Sequence, residues 1–129
     1  MLDFKPITKT IKLPIYPINV HIVIGDKDHA IKTLKKYKSL SQDLLGVNFT
    51  SAEAFTISIS GHPGNILLIF HPDSYHKTEV LVHELIHISM WIFQHIGCEL
   101  NEYTEEPFAY LNDYLFTEIR NIINESYST

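Results

Sequence analysis

The chain has 129 residues, of which 45% are hydrophobic and 19% charged, and its formal net charge is −5 with neutral histidines. This suits one folded domain with its own core, and the single cysteine, Cys98, excludes a disulfide framework or a paired-cysteine metal knuckle. An acidic chain whose lysines gather early (Lys27, Lys32, Lys35, Lys36, Lys38) makes a poor nucleic-acid binder, and no apolar run is long enough to span a membrane.

Residues 1–20 are broken by Pro6, Pro14 and Pro17 and lack the continuous apolar stretch of a signal peptide. Residues 1–14 read as an N-terminal arm that either occupies a cleft or adds a strand. The expected compartment is the cytoplasm of the cell that makes the chain. Residues 17–24 (PINVHIVI) are rich in β-branched side chains and predict a strand. Gly25 and Asp26 end it. Asp26 or Asp28 then caps a helix to about Lys38, with Ala30, Ile31, Leu34 and Tyr37 as its apolar stripe. A second strand lies within residues 49–60, where Phe55, Ile57 and Ile59 alternate with Thr56, Ser58 and Ser60. Residues 61–64 form a turn, and the continuous apolar run 65–70 (NILLIF) predicts a central strand hairpin-paired with the second.

His71 and Pro72 break that strand, and Asp73 or Ser74 is expected to cap a long helix reaching His95 or Ile96, with Gly97 at its C′ position. Val80, Leu81, Leu85, Ile88, Trp91 and Ile92 surround this helix, which predicts a largely buried element. After a short loop Thr104 caps a final helix to about Ile123, with Pro107 in its first turn, where a missing N–H costs little. The order predicts a single α+β domain over residues 1–129. A small mixed or antiparallel sheet packs on the long helix, and the C-terminal helix follows.

The long helix contains His83-Glu84-Leu85-Ile86-His87, an HExxH pattern. Positions i and i+4 share a helix face, so His83 and His87 can present both imidazoles to one metal ion. Glu84, one residue on, reaches the edge of that face, where a carboxylate can accept a proton from water without becoming a ligand. Zn2+ is the expected cofactor. A hydrolytic zinc site usually takes a third protein ligand and keeps the fourth position for water. A metzincin continuation is excluded, because Met90 and Phe93 stand where its Gly and His belong. The remaining candidates are Glu99, Glu102, Glu105 and Glu106. Glu106 fits best, because Glu106, Ala109, Tyr110 and Asp113 repeat at helical spacing and the small Ala109 would let this face approach the His helix.

HELIH, then Gly97-Cys98-Glu99, then Glu106-Pro107-Phe108-Ala109-Tyr110-Leu111 resembles the gluzincin pattern. It is most similar to small zincin-like proteins of phages and Bacteroides-type mobile elements. The resemblance implies a minimal zincin-like fold, with His83, His87 and Glu106 as zinc ligands and Glu84 as catalytic base. Gluzincins similar to thermolysin carry an aspartate four residues after the ligand glutamate. Here that position is Tyr110, a departure, and Asp113 is the expected partner for a ligand histidine instead. Tyr110 is the first candidate to stabilise the developing oxyanion, followed by Tyr103 and His95.

The expected function is a small zinc metallopeptidase acting on a peptide or protein, which a sheet edge such as FTISIS could align. The alternatives are a non-catalytic zinc module tying two helices together, or a zinc hydrolase of a non-peptide amide. Other residues have simpler expected roles. His21 is a satisfied strand side chain, His71, His76 and His95 are capping, surface or pocket-rim residues, and His29 and His62 fall at a helix start and a turn. Cys98 is a small buried residue, and Trp91 packs behind the site.

Overall fold

A computed structural model describes residues 7–14, 16–25, 28, 32, 54–58 and 64–127. They form an α+β arrangement of a mixed sheet followed by two helices, in two compact units, Met1–His76 and Lys77–Thr129.

The first unit holds strands β1 (Ile7–Lys12), β2 (Asn19–Ile24), β3 (Ala54–Ser58) and β4 (Asn65–Phe70), in the order β1-β2-β4-β3. The central pair β2 and β4 runs parallel, with Val20 opposite Ile66 and Ile22 opposite Leu68. Asn19 N–H donates to Gly64 O at 2.7 Å, and Gly25 N–H donates to Phe70 O at 3.1 Å, so the ladder extends past both strand ends. The two runs NVHIVI and NILLIF are almost unbroken apolar sequence, as expected of parallel strands buried on both faces. Val20, Ile22, Val23, Ile24 and all of Ile66 to Phe70 are 0–1% exposed.

The flanking strands are antiparallel to their neighbours, β1 to β2 and β3 to β4. The β3–β4 pairing agrees with the expected hairpin, whose turn at residues 61–63 lies outside the described residues. Pairing of β2 begins at Asn19 rather than at residue 17. Pro17 has no N–H, and Ile18 turns its own back to Tyr16 O at 2.7 Å. Of the expected arm, residues 7–12 add a strand, and residues 1–6 lie outside the described residues. Strand β1, outermost among the described strands, leaves Thr8, Lys9, Thr10 and Lys12 exposed, and charged side chains suit a strand in that position. The helix expected to reach Lys38 falls outside the described residues except for Asp28 and Lys32, which are helical and exposed.

The second unit is a helical hairpin of α1 (Thr78–His95) and α2 (Glu105–Tyr127). Helix α1 starts about one turn later than the sequence suggests. Asp73 and Ser74 do not cap it, because both are tied into a turn on His71. Asp73 N–H donates to His71 Nδ1 at 3.1 Å, and Ser74 donates to His71 O through N–H at 3.0 Å and Oγ at 3.3 Å. Lys77 takes the N-cap position with extended backbone and no side-chain cap. The C-terminus follows expectation. Gly97 adopts φ +78°, its N–H donates to Gln94 O at 3.2 Å, and Cys98 N–H donates to Phe93 O at 2.8 Å. This is the Schellman pairing that satisfies the last carbonyls of a helix.

Helix α1 is less buried than its composition suggests. Leu81, Leu85, Ile88 and Ile92 are buried, but Val82, Ile86 and Met90 are 37–44% exposed. Helix α2 begins just after Thr104, whose carbonyl accepts from Phe108 N–H at 3.0 Å. The Thr104 hydroxyl is turned back into the loop. It donates to Glu99 O at 2.6 Å and accepts from Asn101 N–H at 2.9 Å. The helix runs on to Tyr127, past the expected end at Ile123.

Candidate metal centre

Three contacts set the pairing of α1 with α2. The Phe93 and Phe108 rings meet edge-on at 5.0 Å, Ser89 Oγ donates to Asn112 Oδ1 at 3.0 Å, and Arg120 donates to Thr78 Oγ1 at 3.0 Å. Residue numbers fall along α1 as they rise along α2, so the helices are antiparallel. The α2 face in contact is Phe108, Asn112, Leu115 and Ile119, of which Leu115 and Ile119 are fully buried.

His83 and His87 lie on a different side of α1, roughly 120° around the axis from Ser89 and Phe93 at 3.6 residues per turn. Both are exposed. Their Nε2 atoms stand 3.3 Å apart, with ring planes at 71°. Two nitrogens bound tetrahedrally to one zinc at about 2.05 Å would be separated by about 3.3 Å. As a hydrogen bond the same contact is long for a ring N–H donor. Exposed imidazoles have water available and gain little from each other. The pair therefore fits two edge-sharing ligands of a zinc ion better than it fits a stabilising hydrogen bond. Glu84 follows His83 at the border of the buried side and is only 7% exposed.

The other expected site residues do not join the pair. Glu106, Ala109, Tyr110 and Asp113 do share one face of α2, but all are exposed, Tyr110 to 69%. That face looks away from the contact through Phe108 and Asn112. The axial register also disagrees. Ser89 opposite Asn112 and Phe93 opposite Phe108 place Glu106 level with His95, about 12 Å beyond His87 at 1.5 Å per residue. Among the described residues no three or more His, Cys, Asp or Glu side chains gather as a metal-binding group. In this arrangement Ala109 does not bring Glu106, Tyr110 and Asp113 against the His helix, contrary to the expectation from spacing. Burying the apolar stripe led by Phe108 determines which face packs. Tyr103, in the loop, is 84% exposed.

His95 stacks on Trp91, with centroids 5.0 Å apart and planes at 15°. This pair went unnoticed in the sequence, although its i, i+4 aromatic spacing signals it. Ser89, fully buried between the helices, also escaped notice; a serine inside the apolar stripe was its signal. Cys98 is exposed rather than buried, because it follows the αL glycine out of the helix. The simpler expectations for His21 and His71 hold. His21 is 6% exposed and bonded to Thr10 Oγ1 at 3.0 Å and Asn65 Oδ1 at 2.8 Å. His71 anchors its turn. His76 is exposed and meets Tyr75 edge-on at 5.8 Å. His29 and His62 lie outside the described residues.

Among the described residues no helix is long and apolar enough to cross a membrane. Comparison with protein-family models, with curated proteins and with solved structures finds no match for this chain.

Proposed function

We propose that this chain is a zinc-dependent hydrolase, and within that class a small metallopeptidase. The observation that carries the reading is the 3.3 Å separation of His83 Nε2 and His87 Nε2, with Glu84 next to His83 on the same helix. His83 and His87 are the metal ligands. Glu106 is not carried into this reading, because its face of α2 is turned away from them. Zinc held by His83 and His87 would supply Lewis acidity toward a water and a substrate carbonyl. Glu84 accepts the proton of the attacking water on a carboxylate oxygen and returns it to the leaving amine. Helix α1 fixes the backbone spacing of all three residues, which limits the reorganisation needed at the moment of reaction. The partner is a peptide or protein in the cytoplasm. Among the described residues strand β3 ends the sheet opposite β1, and an extended chain can add to a sheet edge by backbone pairing.

The test is Glu84→Gln, assayed for peptide cleavage and for zinc content together. Cleavage should fall by at least about a hundredfold, in line with the loss of a general base, while zinc stays bound. Undiminished cleavage in the zinc-loaded variant refutes the mechanism.

A further inference from the structure

We propose that the His83–His87 pairs of two chains grip one zinc ion between them, joining the chains along the exposed side of α1 into a dimer whose metal has no open position. The inference rests on the metal ligands proposed above but not on catalysis by Glu84. Four side-chain donors complete a structural zinc site, and one chain offers two at tetrahedral spacing. No third His, Cys, Asp or Glu joins them among the described residues. Both rings are exposed, so donors from another molecule can reach the same ion.

A second copy is the occupant that the geometry selects. A two-fold axis makes one patch meet itself and doubles a two-donor site into a four-donor site. With the two α1 helices antiparallel about a point level with Leu85, His83 of one chain faces His87 of the other. Val82, Ile86 and Met90 line the side of the helix next to the pair on successive turns, and they are 43%, 44% and 37% exposed. A second helix laid over the histidines would cover them. The same antiparallel pairing sends the two Glu79 carboxylates to opposite ends of the contact, so no like charges are apposed. This apolar stripe is small beside the roughly 800 Å² per partner of a stable interface, so association depends on the metal. Four imidazoles leave no place for water, and hydrolysis needs one. The zinc-linked dimer is thus the resting form of the site, and its separation opens a coordination position.

The experiment titrates the full chain with zinc chloride and follows its mass by sedimentation velocity, with metal content measured on the same samples. The expected result is a doubling of mass that peaks at one zinc per two chains and reverses with a chelator. Ile86→Glu, at an exposed position, should keep its helix content yet weaken the dimer at least about tenfold, with zinc affinity falling alongside. His87→Ala should lose both zinc and dimer. A monomer binding one zinc per chain at every ratio overturns the dimer and leaves the hydrolase reading standing. A chain that binds no zinc overturns both. Undiminished dimerisation of Ile86→Glu overturns the assignment of this side of α1 as the contact.

Discussion

Ser89→Ala tests the contact that fixes the register of the helical hairpin. Ser89 is fully buried, its hydroxyl donates to Asn112 Oδ1 at 3.0 Å, and Asn112 Nδ2 donates in turn to Phe108 O at 2.8 Å. The amide is thereby oriented, with its oxygen aimed at the serine. Removing the hydroxyl deprives a part-buried acceptor of its donor, which costs about 1–3 kcal/mol, and the half-buried setting of Asn112 places the expected loss at about 1–2 kcal/mol. The chain has one tryptophan, Trp91, two residues from Ser89, so urea unfolding read by its fluorescence reports on this hairpin. With a slope of about 1–1.5 kcal/mol per molar, the midpoint should fall by about 1 M. Asn112→Ala should cost a similar amount, and the double variant less than the sum, with a coupling of about 1 kcal/mol. If Ser89→Ala stays within about 0.3 kcal/mol of the parent and the two losses simply add, the hydrogen bond does not hold the register.

Gly97→Ala should destabilise the chain by about 1 kcal/mol in the same urea assay, because an L side chain is strained at positive φ. The new methyl would meet no atom within 4 Å, so backbone conformation is the whole effect, and Gly97→Asn should recover part of the loss. A neutral alanine variant would contradict the helix-ending geometry. Glu106→Gln should leave zinc content and affinity within about twofold of the parent, since its face of α2 is turned from the histidines; a drop of tenfold or more, on the scale of losing a group that supports a metal, would place Glu106 at the metal after all.

How far the sequence could be read depended on whether local chemistry or a partner decided each element. The strands 19–24 and 65–70 were legible as near-continuous apolar runs, and the end of α1 was legible at Gly97, because burial and φ preference are properties of the residues themselves. The start of α1 was not. Asp73 and Ser74 have good capping side chains, but the turn on His71 uses their backbone and hydroxyl groups first. For residues 7–12 the sequence admits either a strand or a cleft-filling arm, because ITKTIK gains its order mainly from pairing with β2.

The candidate site divides the same way. Helical periodicity alone put His83 and His87 on one face with Glu84 at its border, and the structure sets their Nε2 atoms at 3.3 Å. That local result needs only the pitch of one helix. The position of a third ligand depends on how a second helix lies against the first, which periodicity leaves undetermined. Two faces of α2 carried helical spacing, one led by Glu106 and one by Phe108. Tertiary packing selected the Phe108 face, because burying phenylalanine, leucine and isoleucine removes far more apolar surface from water than burying glutamate, alanine and tyrosine beside an aspartate. The sequence by itself therefore determined the two-histidine pair and its carboxylate, through fixed backbone geometry. Only the tertiary structure decided that this pair stands exposed with its acidic candidate turned away, because the arrangement of the helices follows the burial of their apolar stripes.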